Sequence, residues 1–212
     1  MSSIAILCNG TFPRKAYPLY LLSSADTVVC CDGAAVKYRK HFGKWPDVIV
    51  GDMDSLPEAF RKQYSGTVVK EEEQDYNDLT KAMRYVFEHY PEAEEIHILG
   101  ATGMREDHTV GNLGLLMEYT RMFPADGRKV DMVSDYGTAF AVTDSCELHL
   151  GEGRKVSIFS ADNSLRIVSE GLQWQTSGVV FDAWWKATLN RSTAPVVKLS
   201  FSHPSAALVI VD

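Results

Sequence analysis

No stretch of this 212-residue sequence approaches the roughly 20 consecutive apolar residues that a membrane-spanning helix needs. The opening residues 1–10 lack the charged start and apolar stretch of a secretory leader. Cysteine is scarce: Cys8, Cys30, Cys31 and Cys146 form no CxxC pair and show no ligand spacing with histidine. Positive charge is in deficit, with 21 Lys and Arg against 28 Asp and Glu and a net charge of -7. That balance opposes binding to nucleic acid or to an anionic membrane, and leaves room for an anionic substrate only where divalent metal ions bridge the two. Two nucleotide signatures are also missing: no GxGxxG follows the first apolar run, and no GxxxxGK[ST] occurs. These absences together lead us to expect a reduced, cytoplasmic, soluble protein. The sequons at Asn9 and Asn190 carry no weight without secretion.

What is present divides into two patterns. Ile4–Leu7, Val28–Cys31, Val48–Val50, Thr67–Val69, Ile96–Leu99 and Val130–Val133 are continuous apolar runs, as expected of parallel strands buried on both faces. Leu79, Ala82, Met83, Val86 and Phe87 make one helical stripe, which Tyr90-Pro91 ends. A second helix is expected from about Asp107 as N-cap, with Val110, Leu113, Leu116 and Met117 inward. Strand alternating with helix indicates an α/β layer over residues 1–140. From 141 to 212 the runs are short and separated by Gly, Asn, Ser and Pro: Leu148–Leu150, Val156–Phe159, Leu165–Val168, Gly178–Phe181, Val196–Phe201 and Leu208–Val211. This reads as an antiparallel β domain, a sandwich.

Small and acidic residues follow nearly every strand of the first part. In a parallel sheet those strand ends share one edge, where open α/β folds bind ligands. In Gly51-Asp52-Met53-Asp54-Ser55, an extended backbone would turn both carboxylates to one side, toward a single Mg²⁺; the same segment also reads as a solvated turn. Asp75 and Asp78 face one way at a helix start, where capping explains them equally well. Gly100-Ala101-Thr102-Gly103 followed by Arg105, Asp107 and His108 offers backbone amides, a guanidinium fork and a further carboxylate for a phosphate. Crowded carboxylates without a cation repel one another, and bound metal resolves that conflict. His89, His97, His149 and His203 read as structural or solvated. Trp174, Trp184 and Trp185 read as core of the β domain, or as a stacking surface for a planar heterocycle.

Taken together, these segments resemble the thiamine pyrophosphokinase family over nearly the whole chain. The resemblance rests on Asp32-Gly33-Ala34, Gly51-Asp52-Met53-Asp54-Ser55, Gln74-Asp75-Tyr76-Asn77-Asp78, and Gly100-Ala101-Thr102-Gly103 with Arg105, Asp107-His108 and Asn112-Leu113, in that order. Asn77 stands where the family usually has Thr. In the C-terminal part Gly171-Leu172-Gln173-Trp174 is followed by Gln175-Thr176 in place of Pro-Leu, and Leu189-Asn190 replaces a Ser-Asn pair.

The resemblance implies an α/β domain followed by a β-sandwich, a homodimer, and a cleft between subunits. It implies the reaction of ATP and thiamine to AMP and thiamine diphosphate, with thiamine's hydroxyl attacking the β-phosphorus. On that footing Asp52, Asp54, Asp78 and Asp107 would hold Mg²⁺. Asp75 would support them or accept the hydroxyl proton, and Arg105 would stabilise the transferred group. Thr102 and Gly103 would cradle phosphate, Asn9, Gly10, Asp32 and Gly33 would line the nucleotide end, and Gln74, Trp185 and Asn190 would contact thiamine. A metal-dependent nucleotide pyrophosphohydrolase and a non-catalytic nucleotide or thiamine sensor are the alternatives.

Overall fold

The protein is described by a computed structural model covering residues 2–71, 73, 75–123 and 127–212. It divides into two units, Met1–Asn112 with Ala125–Asp135, and Leu113–Pro124 with Tyr136–Asp212.

In the first unit, strands β1 (Ser2–Leu7), β2 (Thr27–Cys31), β3 (Val48–Gly51), β4 (Thr67–Lys70), β5 (Ala93–Leu99) and β6 (Lys129–Val133) alternate with helices. The helices are α1 (Ala16–Ser24), α2 (Ala34–Phe42), α3 (Glu58–Gln63), α4 (Asp78–His89) and α5 (Glu106–Met122), the last continuing into the second unit. The strands pair in parallel in the order β6-β5-β1-β2-β3-β4. Ile6, Leu7, Val29, Cys30, Ile49, Val50, Ile98 and Leu99 are fully buried, which is why their runs show no alternation. β4 departs from that expectation: it is an edge strand, and Val68 is exposed.

Leu7 pairs with both Cys30 and Leu99, and Cys31 with Val50, so the C-terminal strand ends line up. The chain moves outward from β1 through β2, β3 and β4, then returns to the other flank of β1 with β5. The switch point between β1 and β5 is where a parallel sheet opens a crevice.

The stripe on α4 packs as expected, with Leu79, Ala82, Met83 and Val86 buried. Its cap is Asn77, whose side chain accepts the Thr80 amide. α5 corrects two expectations. It begins at Glu106, so Asp107 lies inside the first turn and is not the N-cap, and Val110 is 51% exposed while Leu116, Met117 and Tyr119 turn inward.

The second unit contains β7 (Thr138–Val142), β8 (Cys146–His149), β9 (Lys155–Ser160), β10 (Ile167–Glu170), β11 (Asn190–Arg191), β12 (Val196–Phe201) and β13 (Ala207–Val211). Two antiparallel sheets, β11-β9-β13-β7 and β10-β12-β8, enclose Val156, Ile158, Ile167, Val197, Leu199 and Val209. Alternating burial along β9 and β10 makes this a sandwich. Gly178–Phe181 is not a strand: it lies in a run of turns, and Phe181, with Val179 packed beside it, anchors it to the core. The indoles of Trp174, Trp184 and Trp185 are 56%, 56% and 73% exposed, so they are not core residues.

His97 on β5 is buried and places Nδ1 2.7 Å from Oδ1 of Asp131 on β6. Burial alone would depress its pKa, yet the Asp131 hydrogen bond and charge raise it overall. The protonated pair therefore stabilises the fold fully below the unfolded value of about 6.5, and this contribution is lost as the pH rises through the higher folded value. Urea unfolding between about pH 6 and pH 9 should show that loss, and Asp131→Asn should flatten it while costing on the order of 1–3 kcal/mol at the acidic end. Parallel pH profiles for the two proteins would refute it.

Candidate active site

The loops that follow β1 and β5 lock together at the switch point. Gly10 N–H donates to the Gly100 carbonyl at 2.8 Å and Thr11 N–H to the Thr102 carbonyl at 2.9 Å. A Cβ on Gly10 would collide with the Gly100 carbonyl, so glycine is the only residue this approach admits. Lys37 on α2 pins the turn from beneath: its Nζ donates to the carbonyls of Asn9 and Gly10 at 2.8 and 2.9 Å. Burial lowers the Lys37 pKa.

Acidic residues gather beside this junction. Oxygens of Asp32, Asp52 and Asp54 lie within 4.8 Å of one another. Asp78, the first residue of α4, faces the same place: a Cβ on Gly51 would stand 3.0 Å from the Asp32 Cβ and 3.4 Å from the Asp78 carboxylate. Asp52 and Asp54 converge for a different reason than strand alternation. Met53, between them, is buried with φ 68°, and the Asp54 amide donates back to the Asp52 carboxylate at 3.2 Å. The segment is a tight turn, and its strain sits at the site.

The electrostatics show what the cluster lacks. Asp32 Oδ2 accepts the Ser55 amide, whereas its buried Oδ1 accepts no hydrogen bond from any described residue. Burial pushes the Asp32 carboxyl above its ordinary range, the Ser55 hydrogen bonds oppose this, and the charges of Asp78 and Asp54 add to the rise. Asp78 is raised too, first by burial and then by Asp52 and Asp54, against the lowering effect of Lys81. Lys81 is 3% exposed, with Nζ 3.5 Å from Asp78 Oδ1 and 3.1 Å from the Glu71 carbonyl. Several oxygen ligands, one of them orphaned, surrounded by like charge, fit a hard divalent cation.

A polar relay fixes the remaining wall. Asn77 Nδ2 donates to Asn112 Oδ1 at 2.9 Å, and Asn112 Nδ2 to the Ala101 carbonyl at 2.7 Å, tying α4 to α5 and to the loop after β5. Arg105 and Asp107 form an exposed ion pair that holds the Asp107 carboxyl well below its usual range. The Gly103 amide donates to the Thr109 hydroxyl at 3.0 Å, so that donor is already engaged.

A cavity of about 580 Å³ results, lined by Asn9, Gly10, Asp32, Asp52, Asp54, Asp78, Gly103 and Arg105 among others. Gly33 packs under it against Asn9 and Ser55. Thr102 and Asp107 are outside its lining, as is Asp75, which lies exposed before α4. Gln74 lies outside the described residues. In the second unit the Asn190 side chain is spent on the Trp174 backbone, accepting its amide at 3.1 Å and donating to its carbonyl at 2.7 Å, while Trp185 stands exposed. Sequence reasoning missed Lys37 and Lys81. Each looks like an ordinary helical surface lysine, although Lys81, three residues after Asp78, had the right spacing for a partner.

Residues 19–124 match the family profile of the thiamin pyrophosphokinase catalytic domain, and residues 137–206 that of the thiamin pyrophosphokinase substrate-binding domain. The chain is 32% identical over 197 residues to thiamine pyrophosphokinase 1 of Oryza sativa subsp. japonica, covering 80% of this chain and 72% of that protein. It is 33% identical over 199 residues to thiamine pyrophosphokinase 1 of Arabidopsis thaliana, covering 81% and 72%. Among solved structures, yeast thiamin pyrophosphokinase superposes with a TM-score of 0.80 at 18% identity, over 100% of this chain and 86% of that one. Thiamine pyrophosphokinase from Bacillus subtilis gives 0.79 at 19% identity, over 100% and 99%. Both share the fold.

Since the folded pKa values of Asp32 and Asp78 exceed the unfolded value of about 3.9, ionisation opposes folding once the pH rises through them. A bound cation should remove that penalty. Thermal melts at about pH 7.5 should show Mg²⁺ or Mn²⁺ raising the midpoint, with about 2.7 kcal/mol gained at 100 times the dissociation constant. Asp32→Asn should stabilise the metal-free protein and shrink the cation response; an undiminished response would remove Asp32 from the site.

Proposed function

Because this chain belongs to the thiamin pyrophosphokinase family, we propose that its acidic cavity holds Mg²⁺ and ATP and that the enzyme moves the pyrophosphoryl group of ATP to the hydroxyl of thiamine. The products are AMP and thiamine diphosphate. The observation that carries the reading is the convergence of Asp32, Asp52, Asp54 and Asp78, with a buried oxygen of Asp32 that has no donor among the described residues.

Mg²⁺, when bound, offsets the charge of the triphosphate and polarises the group in transit. Asp52, Asp54 and Asp78 would hold it, and Asp32, expected at the nucleotide end, would join them. Arg105 exchanges Asp107 for a phosphate oxygen, because a guanidinium binds a phosphate as readily as a carboxylate. Asp107, released from Arg105, would add a further carboxylate to the set that holds Mg²⁺. Asp75 stands behind the ligands or accepts the hydroxyl proton. Asn9, Gly10, Gly33, Thr102 and Gly103 shape the nucleotide end, with Lys37 keeping the Asn9-Gly10 turn in place. No covalent nucleophile is required, since phosphoryl-type transfer depends on positioning and charge.

The same reading assigns catalysis to residues 1–140 and acceptor binding and dimer formation to residues 141–212. The exposed Trp174 and Trp185 rings suit a planar heterocycle, and Asn190 holds the Trp174 backbone for it; Gln74, expected to contact thiamine, lies outside the described residues. A homodimer gives the exposed indoles a partner surface. A cytoplasmic setting accords with four free cysteines. Among the described residues no helix is long and apolar enough to cross a membrane.

Incubation with ATP, Mg²⁺ and thiamine should yield AMP and thiamine diphosphate by mass spectrometry, and Asp52→Asn should reduce turnover by about 100-fold or more with the fold intact. AMP release without thiamine would make the protein a hydrolase instead. ATP binding with no AMP under any condition would make it a sensor.

A further inference from the structure

The floor of the cavity carries a feature that the transfer reaction does not use. Cys8 immediately follows β1 and Cys31 ends β2, and their sulfurs face each other at 3.9 Å. The two strands pair in parallel with Leu7 opposite Cys30, so the next residues in register are Cys8 and Cys31. Neighbouring strands run about 4.8 Å apart, inside the Cα separation of roughly 4.4–6.8 Å that a disulfide accepts. Cys30 faces the opposite side of β2, in the core with Val28 and Tyr38, and takes no part. Both Cys8 and Cys31 border the cavity, with 7% and 3% of their surfaces exposed.

Cys31 is also wired to the acidic residues. Its thiol donates to the Asp78 carbonyl at 3.6 Å, and the next residue is Asp32, held at φ 39°. Joining the sulfurs requires their separation to fall from 3.9 Å to about 2.05 Å. Cys31 stands between that movement and the acidic residues, hydrogen-bonded to the Asp78 carbonyl and followed directly by Asp32.

We propose that Cys8 and Cys31 are an oxidative modification site, closing to a reversible disulfide with peroxide-class oxidants and thereby dismantling the cation site above them. One thiol sulfur gives up its proton and attacks a peroxide oxygen; the O–O bond breaks, one water leaves and a sulfenic acid remains. The second sulfur displaces the hydroxyl from that sulfenic acid, the S–S bond forms, and the second thiol proton departs with the hydroxyl as water. Two thiols and one hydrogen peroxide give one disulfide and two waters.

The experiment treats the whole protein with hydrogen peroxide, then alkylates, digests and measures by mass. The expected product is lighter by two hydrogens, retains two of its four free thiols, and contains a peptide pair joining Cys8 to Cys31. Mg²⁺ should then raise the melting temperature less than in the reduced protein, and dithiothreitol should restore the response. Where turnover is measurable, the ratio of reduced to oxidised activity should be about tenfold or more, since displacements of about 1 Å at such a site cost that much. Cys8→Ala and Cys31→Ala should each bring that ratio to one, whatever their own basal level. Separate alkylation of Cys8 and Cys31 after peroxide, or a Cys8→Ala protein that loses its Mg²⁺ response to peroxide as wild type does, would overturn the proposal. The mass and melting readouts stand even if the transfer reaction is misassigned.

Discussion

Several carboxylates share the end of one parallel sheet, and the rest of the first unit is organised around keeping them there. Two like charges 4 Å apart repel by about 4 kcal/mol at an effective dielectric near 20, and burial adds to the cost. Asp32 and Asp78 register that strain as raised pKa values. A chain selected for stability alone would not place Asp32 where one oxygen has no donor. Lys81 offsets part of the repulsion from inside, at 3.5 Å from Asp78, but supplies one charge against several. The cluster persists because rigid strands hold it, their side chains buried on both faces and their ends in register.

Local backbone strain follows the same logic. Among the described non-glycine residues of the first unit, Asp32, Met53 and Met104 adopt left-handed φ values of 39°, 68° and 67°, and all three lie in the loops around the cavity. Each such residue costs on the order of 1 kcal/mol or more and persists only where its surroundings over-determine it. For Met53 the surroundings are the buried side chain and the Asx turn that brings Asp52 and Asp54 together. Strain and repulsion are thus concentrated at one edge of a sheet whose interior shows neither.

This division explains what the sequence could and could not disclose. Parallel strands advertise themselves as unbroken apolar runs, so the sheet of the first unit was legible, as was the stripe on α4. The acidic loops were legible as a group because they recur after successive strands. Partners far apart in sequence were not. Asp32 reads as half of an Asp-Gly turn until β2 and β3 are aligned, and Lys37 and Lys81 look like solvent-facing lysines until the loops they hold are in place. Asp107 followed by a helical pattern resembles an N-cap, yet a guanidinium two residues earlier competes for its carboxylate. Gly178–Phe181 has strand composition but no strand pairs with it among the described residues; the buried Phe181 ring and the half-buried Val179 account for its apolarity.

The second unit poses the opposite problem, since its tryptophans look like core and are not. Indoles left in water forgo apolar burial of about 25 cal/mol per Å², so their exposure needs a use. The segment carrying them is built for precision: Asn190 grips the Trp174 backbone on both sides, and Leu189, exposed with φ 59°, is held by the Ser157 hydroxyl at 3.0 Å. Its backbone is therefore fixed while its side chains remain free to differ, and exposed side chains can change at little cost in stability. Of the chain's departures from the family, Leu189 is exposed beside that frame, whereas Thr176 is buried and donates its hydroxyl to the Ile167 carbonyl at 2.6 Å. A substitution at an exposed position such as Leu189 alters that surface at little cost to the fold.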